Sequence, residues 1–276
     1  MSAVAPPLLL VGCDFSSSPT ARKPIVLALG QFAGGRVLLS RLEKIDSLEA
    51  FGRWLAQPGS WIGCFDFPFG LPRELVEHLG WPLQWRECIE HYAGLSRATI
   101  RTTFAAFCDA RPVGGKFAHR AFDRQAGSSP SMKWVNPPVA YMLHAALPLL
   151  LAADVDLPGL HAGDASRVAL EAYPGLLARE LIGRRSYKSD DKARQTPERL
   201  IARKDLLHAL ELGATRLELR LKLTNAQRDT LIQDASGDCL DAVLCLTQAA
   251  WAARQGAPRY GLPEQFDPLE GWIVSA

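Results

Sequence analysis

Five carboxylates stand where a charge is costly to bury. They are Asp14 in LLLVGCDFS, Asp66 in WIGCFDFPFG, Glu171 in VALEAYP, and Asp238 and Asp241 in GDCLDAVLC. Each ends an apolar run or lies on an apolar helix, where a lone carboxylate loses hydration without compensation. Several such acids converging on one point make an all-oxygen ligand set. Hard oxygen donors suit Mg²⁺ or Mn²⁺ and argue against zinc or copper. Two such ions about 3.5–4 Å apart, bridged by an aspartate, activate a water and stabilise a leaving oxygen in phosphoryl chemistry. Asp14, Asp66 and Asp241 form the core of this expected metal site. Asp238 either assists it or caps the last helix. Glu171 either assists it or pairs with a base.

The elements that must position these acids follow from the pattern of apolar runs. Residues 7–15, 25–32 and 36–42 have strand length, and Gly34-Gly35 between the last two signals a hairpin. SLEAFGRWLAQPG reads as an amphipathic helix with Ser47 as its cap and Pro58-Gly59 at its end. Residues 61–67 are an almost fully apolar fourth strand, as a buried parallel strand should be. The order is a meander, a crossover helix and a strand returning beside the first, so Asp14 and Asp66 should emerge at one sheet edge. Residues 68–158 break the rhythm and read as a large, mostly helical insertion or cap carrying Trp81, Trp85 and Trp134. A fifth strand, one that could lie at the sheet edge, is expected at 167–173, then charged helices over 176–235, in which Thr196 or Ser189 is the candidate cap, and a final helix over 237–254. Asp238 and Asp241, three apart on that helix, share a face, and Asp241 lies in its apolar stripe.

Composition sets the bounds. A chain of 276 residues, 48% hydrophobic and 22% charged, suits a single large domain, residues 1–276, with a substantial core. A net charge of +2 does not mark a general polyanion binder. The six cysteines show no CxxC spacing, which argues against zinc, and reduced thiols fit a cytoplasmic protein. MSAVAPPLLLVG has no basic n-region and reads as a strand lead-in. The apolar stretch around VAYMLHAALPLLLAA is broken by His144 and Pro148 and is not a membrane span.

Two basic segments could meet a phosphate backbone. Residues 111–134 hold five Lys/Arg, among them Arg120, Arg124 and Lys133, against Asp123 alone. Trp134 and two phenylalanines interleave with them, a pattern suited to base stacking or, equally, to local packing. Residues 179–204 hold nine bases against four acids and read mostly as a solvated helical face. Lys188 in SYKSDD is the exception, placed to return to the site as a phosphate-neutralising point charge. His119 and His144 lie in no nucleophile or metal motif and read as structural.

GCDFS, CFDFPFGLP, LEAYP, SYK and DCLDAVLC, in that order, resemble domain-of-unknown-function family 429, predicted to be ribonuclease H-like nucleases. DxxDA on the last helix is also similar to Holliday-junction resolvases of that superfamily. The resemblance implies a mixed α/β ribonuclease H-like fold with a central five-stranded sheet and flanking helices. It also implies a metal-bound acidic cluster and phosphodiester hydrolysis of nucleic acid. Fold alone does not fix function. One alternative is a nucleic-acid-binding protein that keeps the core without catalysis. Another is an actin-like phosphotransferase, which needs a glycine-rich phosphate loop where this chain has FSSSPTARK. Oligomeric state and the kind of nucleic acid have no signature in the residues.

Overall fold

The apolar runs pair into one twisted sheet in the computed structural model, which describes residues 8–276. The lead-in residues 1–7, including the start of the expected first strand, lie outside the described residues. Strands β1 (Leu9–Asp14), β2 (Ile25–Ala33) and β3 (Arg36–Ile45) form the antiparallel meander. Gly34 and Gly35 close its hairpin at φ of 57° and 72°, values that side chains rarely tolerate. The Ser47 hydroxyl caps α1 (Leu48–Leu55) by accepting the Ala50 N–H at 3.1 Å. The helix crosses over to β4 (Trp61–Phe65), which pairs parallel with β1.

Five helices follow: α2 (Arg73–His78), α3 (Trp85–Ala93), α4 (Arg97–Asp109), α5 (Asp123–Ala126) and α6 (Val139–Ala152). Then come β5 (Val155–Asp156), β6 (Asp164–Glu171), α7 (Pro174–Ile182) and α8 (Pro197–Leu212). The chain continues through β7 (Arg220–Lys222), α9 (Asn225–Gln233) and α10 (Asp238–Gln255). Thr196 occupies the cap position of α8, ahead of Pro197, without a side-chain capping bond.

The sheet has seven strands, in the order β5-β6-β4-β1-β2-β3-β7, where five were expected. The two additions, β5 and β7, span only two and three residues and extend the opposite edges. Runs that short carry no readable alternation. The strand expected at 167–173 is β6, which starts earlier, in the polar DASR, and ends at Glu171. It lies between β4 and β5 and so is not an edge strand.

Both faces of the sheet are covered. One packs Leu10, Val26, Ala28 and Val37 against α7, α8 and α10. The other packs Val11, Cys13, Leu27 and Leu29 against α1 and the helices α3, α4 and α6. The segment 68–158, expected as an insertion or cap, supplies most of the buried side chains on this second face. All six cysteines are buried and free. Among the described residues no helix is long and apolar enough to cross a membrane.

One glycine sets the distance between the final helix and the sheet. A Cβ at Gly12, in the middle of β1, would sit 2.0 Å from the Ala242 carbonyl oxygen and 2.2 Å from the Leu246 nitrogen. Only a missing side chain lets α10 cross β1 at backbone contact. That contact places the first turn of α10 over the end of β1, where Asp14 stands.

Candidate metal centre

β1 and β4 run parallel with Cys13 opposite Phe65, so their next residues, Asp14 and Asp66, leave the sheet at one edge. The Asp66 N–H donates to the Cys13 carbonyl at 2.9 Å, which holds Asp66 beside Asp14 although β4 itself ends at Phe65. Asp241, fully buried on the first turns of α10, completes the group. One carboxylate oxygen from each of Asp14, Asp66 and Asp241 lies within 4.8 Å of the other two. They stand in a cleft of about 920 Å³. Among the described residues, Asp241 alone of the three has side-chain partners: the Tyr187 hydroxyl donates to Oδ1 and the Lys188 ammonium to Oδ2.

Burial and crowding oppose the ionisation of Asp14 and Asp66. Burial, then the like charges of Asp241, Asp238 and Asp66, push the Asp14 carboxyl well above the usual carboxylate range, against the pull of Lys188. Burial and the charges of Asp241 and Glu171 lift Asp66 to about 7, again against Lys188. Burial disfavours the Lys188 charge, but Asp241, Tyr187 and Asp14 hold its ammonium on regardless.

The lift on Asp66 gives a stability prediction. Below pH 4 its carboxyl is protonated in both folded and unfolded chains and contributes nothing. Between about 4 and 7 the unfolded chain ionises while the folded one keeps its proton, so the folded state loses ground until both are ionised. Asp66→Asn should therefore stabilise the metal-free protein by about 1–2 kcal/mol at pH 8 and by almost nothing at pH 4, allowing for solvent in the cleft. Urea unfolding at the two pH values tests this. An equal change at both would mean that the Asp66 charge is not strained.

The other expected site residues are placed as follows. Asp238 is the first residue of α10, not its cap: Gly237 holds the cap position, and Asp234 Oδ2 accepts the Cys239 N–H at 2.8 Å. Asp238 instead pairs with Lys23 at 3.2 Å, and Lys23 also reaches Asp190 at 2.6 Å. Glu171, at the end of β6, lines the cleft but lies outside the converging trio. Its oxygens take both terminal nitrogens of Arg120, at 2.6 and 2.8 Å, and the Phe69 N–H at 2.8 Å.

Arg120 is buried, with Nε on Asp123 at 3.0 Å and Nη1 also on the Glu270 carbonyl at 3.0 Å. So many commitments leave little of the guanidinium for a phosphate, contrary to its expected substrate role. Arg124 is exposed and does not line the cleft. Lys133 donates to the Asn136 carbonyl at 2.6 Å. Trp134 packs on Phe117, ring centroids 5.5 Å apart, and against the core, so its stacking partner is already inside the protein. His144 is likewise engaged, with Nε2 at 2.9 Å from the Leu95 carbonyl oxygen.

Three residues that hold the site escape a reading by composition. Tyr187 adjoins Lys188 in SYK, but nothing in the motif shows that its hydroxyl meets Asp241. Lys23 lies in an irregular polar loop with no pattern to place it. Arg203 sits among the bases read as a solvated face, yet it is buried. It donates to the Tyr187 carbonyl and the Ile232 carbonyl, each at 2.7 Å, and so ties down the strap that carries Tyr187 and Lys188. Its signal was legible: Arg203, Leu206, Leu207 and Leu210 share one helical stripe. The strap runs close over the start of α10, where a Cβ at Gly237 would come within 2.6 Å of the Lys188 Cβ.

A family model described as "Protein of unknown function (DUF429)" matches residues 12–265. Neither the curated proteins nor the solved structures contain a match.

Proposed function

The chain belongs to that family of unknown function, and we propose that its acidic site is a divalent-metal centre that hydrolyses phosphodiester bonds of nucleic acid. The observation that carries this reading is the convergence of Asp14, Asp66 and Asp241 within 4.8 Å of one another in the cleft. A ribonuclease H-like reading of the core is supported by the meander, the crossover helix and the parallel return of β4 beside β1.

The donor set fits Mg²⁺ or Mn²⁺. It is all oxygen, and the Asp14 and Asp66 carboxylates have lone pairs that no side-chain donor among the described residues uses. Bound there, such ions supply an activated water and charge compensation at the leaving oxygen. The chain's own contributions are distinct. Asp14, Asp66 and Asp241 are the ligands, and Tyr187 fixes the rotamer of Asp241. Lys188 places a positive charge where a substrate phosphate would approach. Asp238, tethered by Lys23, assists from the rim. Glu171 acts as a positioning residue through Arg120, and its charge lifts Asp66.

The test is hydrolysis of single-stranded, duplex, hybrid and branched nucleic acids with Mg²⁺ or Mn²⁺ and with chelator. Metal-dependent cleavage of at least one is expected. Failure on all of them with both ions would remove hydrolysis as this site's function.

A further inference from the structure

Six acids line the cleft, and the chain meets four of them with cations of its own. Arg120 takes Glu171 with both terminal nitrogens. Lys23 stands between Asp238, at 3.2 Å, and Asp190, at 2.6 Å. Lys188 takes Asp241. Among the described residues, Asp14 and Asp66 are the two lining acids with no side-chain partner. Two free carboxylates suit one ion, since Mg²⁺ keeps several waters and is held by one or two carboxylates. A pair of ions about 3.5–4 Å apart needs, in addition, an aspartate that bridges them. Asp241 is the one member of the converging trio with a cation already on it.

Lys188 is anchored for that contact. Its stem lies along the cap of α10, where a Cβ at Gly237 would come within 2.6 Å of the Lys188 Cβ and 2.9 Å of its Cδ. On one flank Arg203 holds the Tyr187 carbonyl at 2.7 Å, and on the other the Ser189 N–H donates to the Ala235 carbonyl at 3.0 Å. The Tyr187 hydroxyl takes the second oxygen of the same Asp241 carboxylate. A lysine on a free loop would swing among rotamers, whereas this one is fixed at both flanks and along its stem. The α10 side of the trio thus carries Lys188 on Asp241, Lys23 on Asp238 and the positive end of the helix dipole. A second divalent ion there would meet like charge.

Resting on the metal-centre reading, we infer that the centre holds one divalent ion and that the Lys188 ammonium stands on Asp241 in place of a second. The ion is held by Asp14 and Asp66 and shares Asp241 with Lys188. Lys188 supplies fixed positive charge on the α10 side, so the site needs one ion where a pair would otherwise stand.

Mn²⁺ binding to the full chain tests this, counted by calorimetry and by electron paramagnetic resonance. The wild type should take up about one ion per chain more than Asp14→Asn, without the spectrum of a spin-coupled pair. Lys188→Met keeps the stem along Gly237 but not the charge. It should take up about two ions and show the coupled pair. Lys188→Arg should stay at about one, because the charge is kept. Amine acetylation read by mass spectrometry needs no variant. Lys188 should be labelled at the same rate, within about twofold, with and without Mn²⁺, because its ammonium keeps the charge-assisted bond to Asp241. Two ions in the wild type, one ion in folded Lys188→Met, or a many-fold rise in Lys188 labelling with Mn²⁺ overturns the inference and leaves the metal-centre reading standing. Wild-type uptake no greater than that of Asp14→Asn overturns that reading, and this inference with it.

Discussion

Asp14→Asn abolishes Mg²⁺- or Mn²⁺-dependent hydrolysis, by on the order of 10³-fold or more, and the protein stays folded. A metal ligand supplies several kcal/mol of charge stabilisation in the transition state, and about 1.4 kcal/mol is a factor of ten in rate. The amide keeps the shape of the side chain but removes its charge, so ion binding suffers while packing does not. Two contrasts make the result specific. Asp241→Asn should match Asp14→Asn, because both oxygens belong to the converging group. Asp238→Asn should lose about tenfold or less, because its carboxylate is occupied by Lys23. In parallel, Mn²⁺ should raise the melting temperature of the wild type and leave that of Asp14→Asn unchanged, as linkage requires of an ion that binds only the folded state. A variant that hydrolyses within tenfold of wild type, or keeps the Mn²⁺ shift, would remove Asp14 from the centre.

The largest loss of stability should come from Arg120→Met. Arg120 joins Asp123, at the start of α5, to Glu171, at the end of β6, and to the Glu270 carbonyl in the C-terminal segment. Glu270 in turn accepts the Ala121 N–H at 2.7 Å and the Arg73 N–H at 2.9 Å. Burial already pushes Glu171 upward in spite of Arg120. Removing the guanidinium leaves two buried carboxylates uncompensated, a change that typically costs about 3–5 kcal/mol. The sign of its pH dependence follows. Without Arg120, Glu171 holds its proton more tightly folded than unfolded, so the deficit is small near pH 4 and grows as pH rises. Glu171→Gln should be milder, because Arg120 retains Asp123 and the Glu270 carbonyl. Urea unfolding of both variants decides it. A loss under about 1 kcal/mol for Arg120→Met at pH 7 would mean that the cluster does not hold this wall of the cleft.

How far the residues announce this arrangement can be traced one by one. The meander, the crossover helix and the parallel return of β4 are legible because long apolar runs and the Gly34-Gly35 turn are local signals. The shared edge of Asp14 and Asp66 follows from that topology. The short strands β5 and β7 are not legible, since two or three residues pair only when neighbours present an open edge. Arg120 and Trp134 looked like a nucleic-acid surface because a string of cations and aromatics is ambiguous until burial is known. Their partners, Glu171 and Phe117, are distant in sequence or hidden by the fold. Asp238 looked like a cap because its type and position allow it, but Asp234 took that role from outside the helix.

By itself the sequence determined which acids are anomalous, which strands run together, and that the last helix carries Asp241 in its apolar stripe. Apolar patterning is a local property, and burying it is the dominant favourable term in folding. Only the tertiary structure decided which acids converge and which are already spent. Gly12 lets α10 reach backbone contact with β1, and that contact brings Asp241 to Asp14 and Asp66. Arg120 claims Glu171, Lys23 claims Asp238, and Tyr187 and Lys188 claim Asp241. Charge pairing acts over a few ångströms between residues far apart in the chain, so it is settled only when the fold has set their distances.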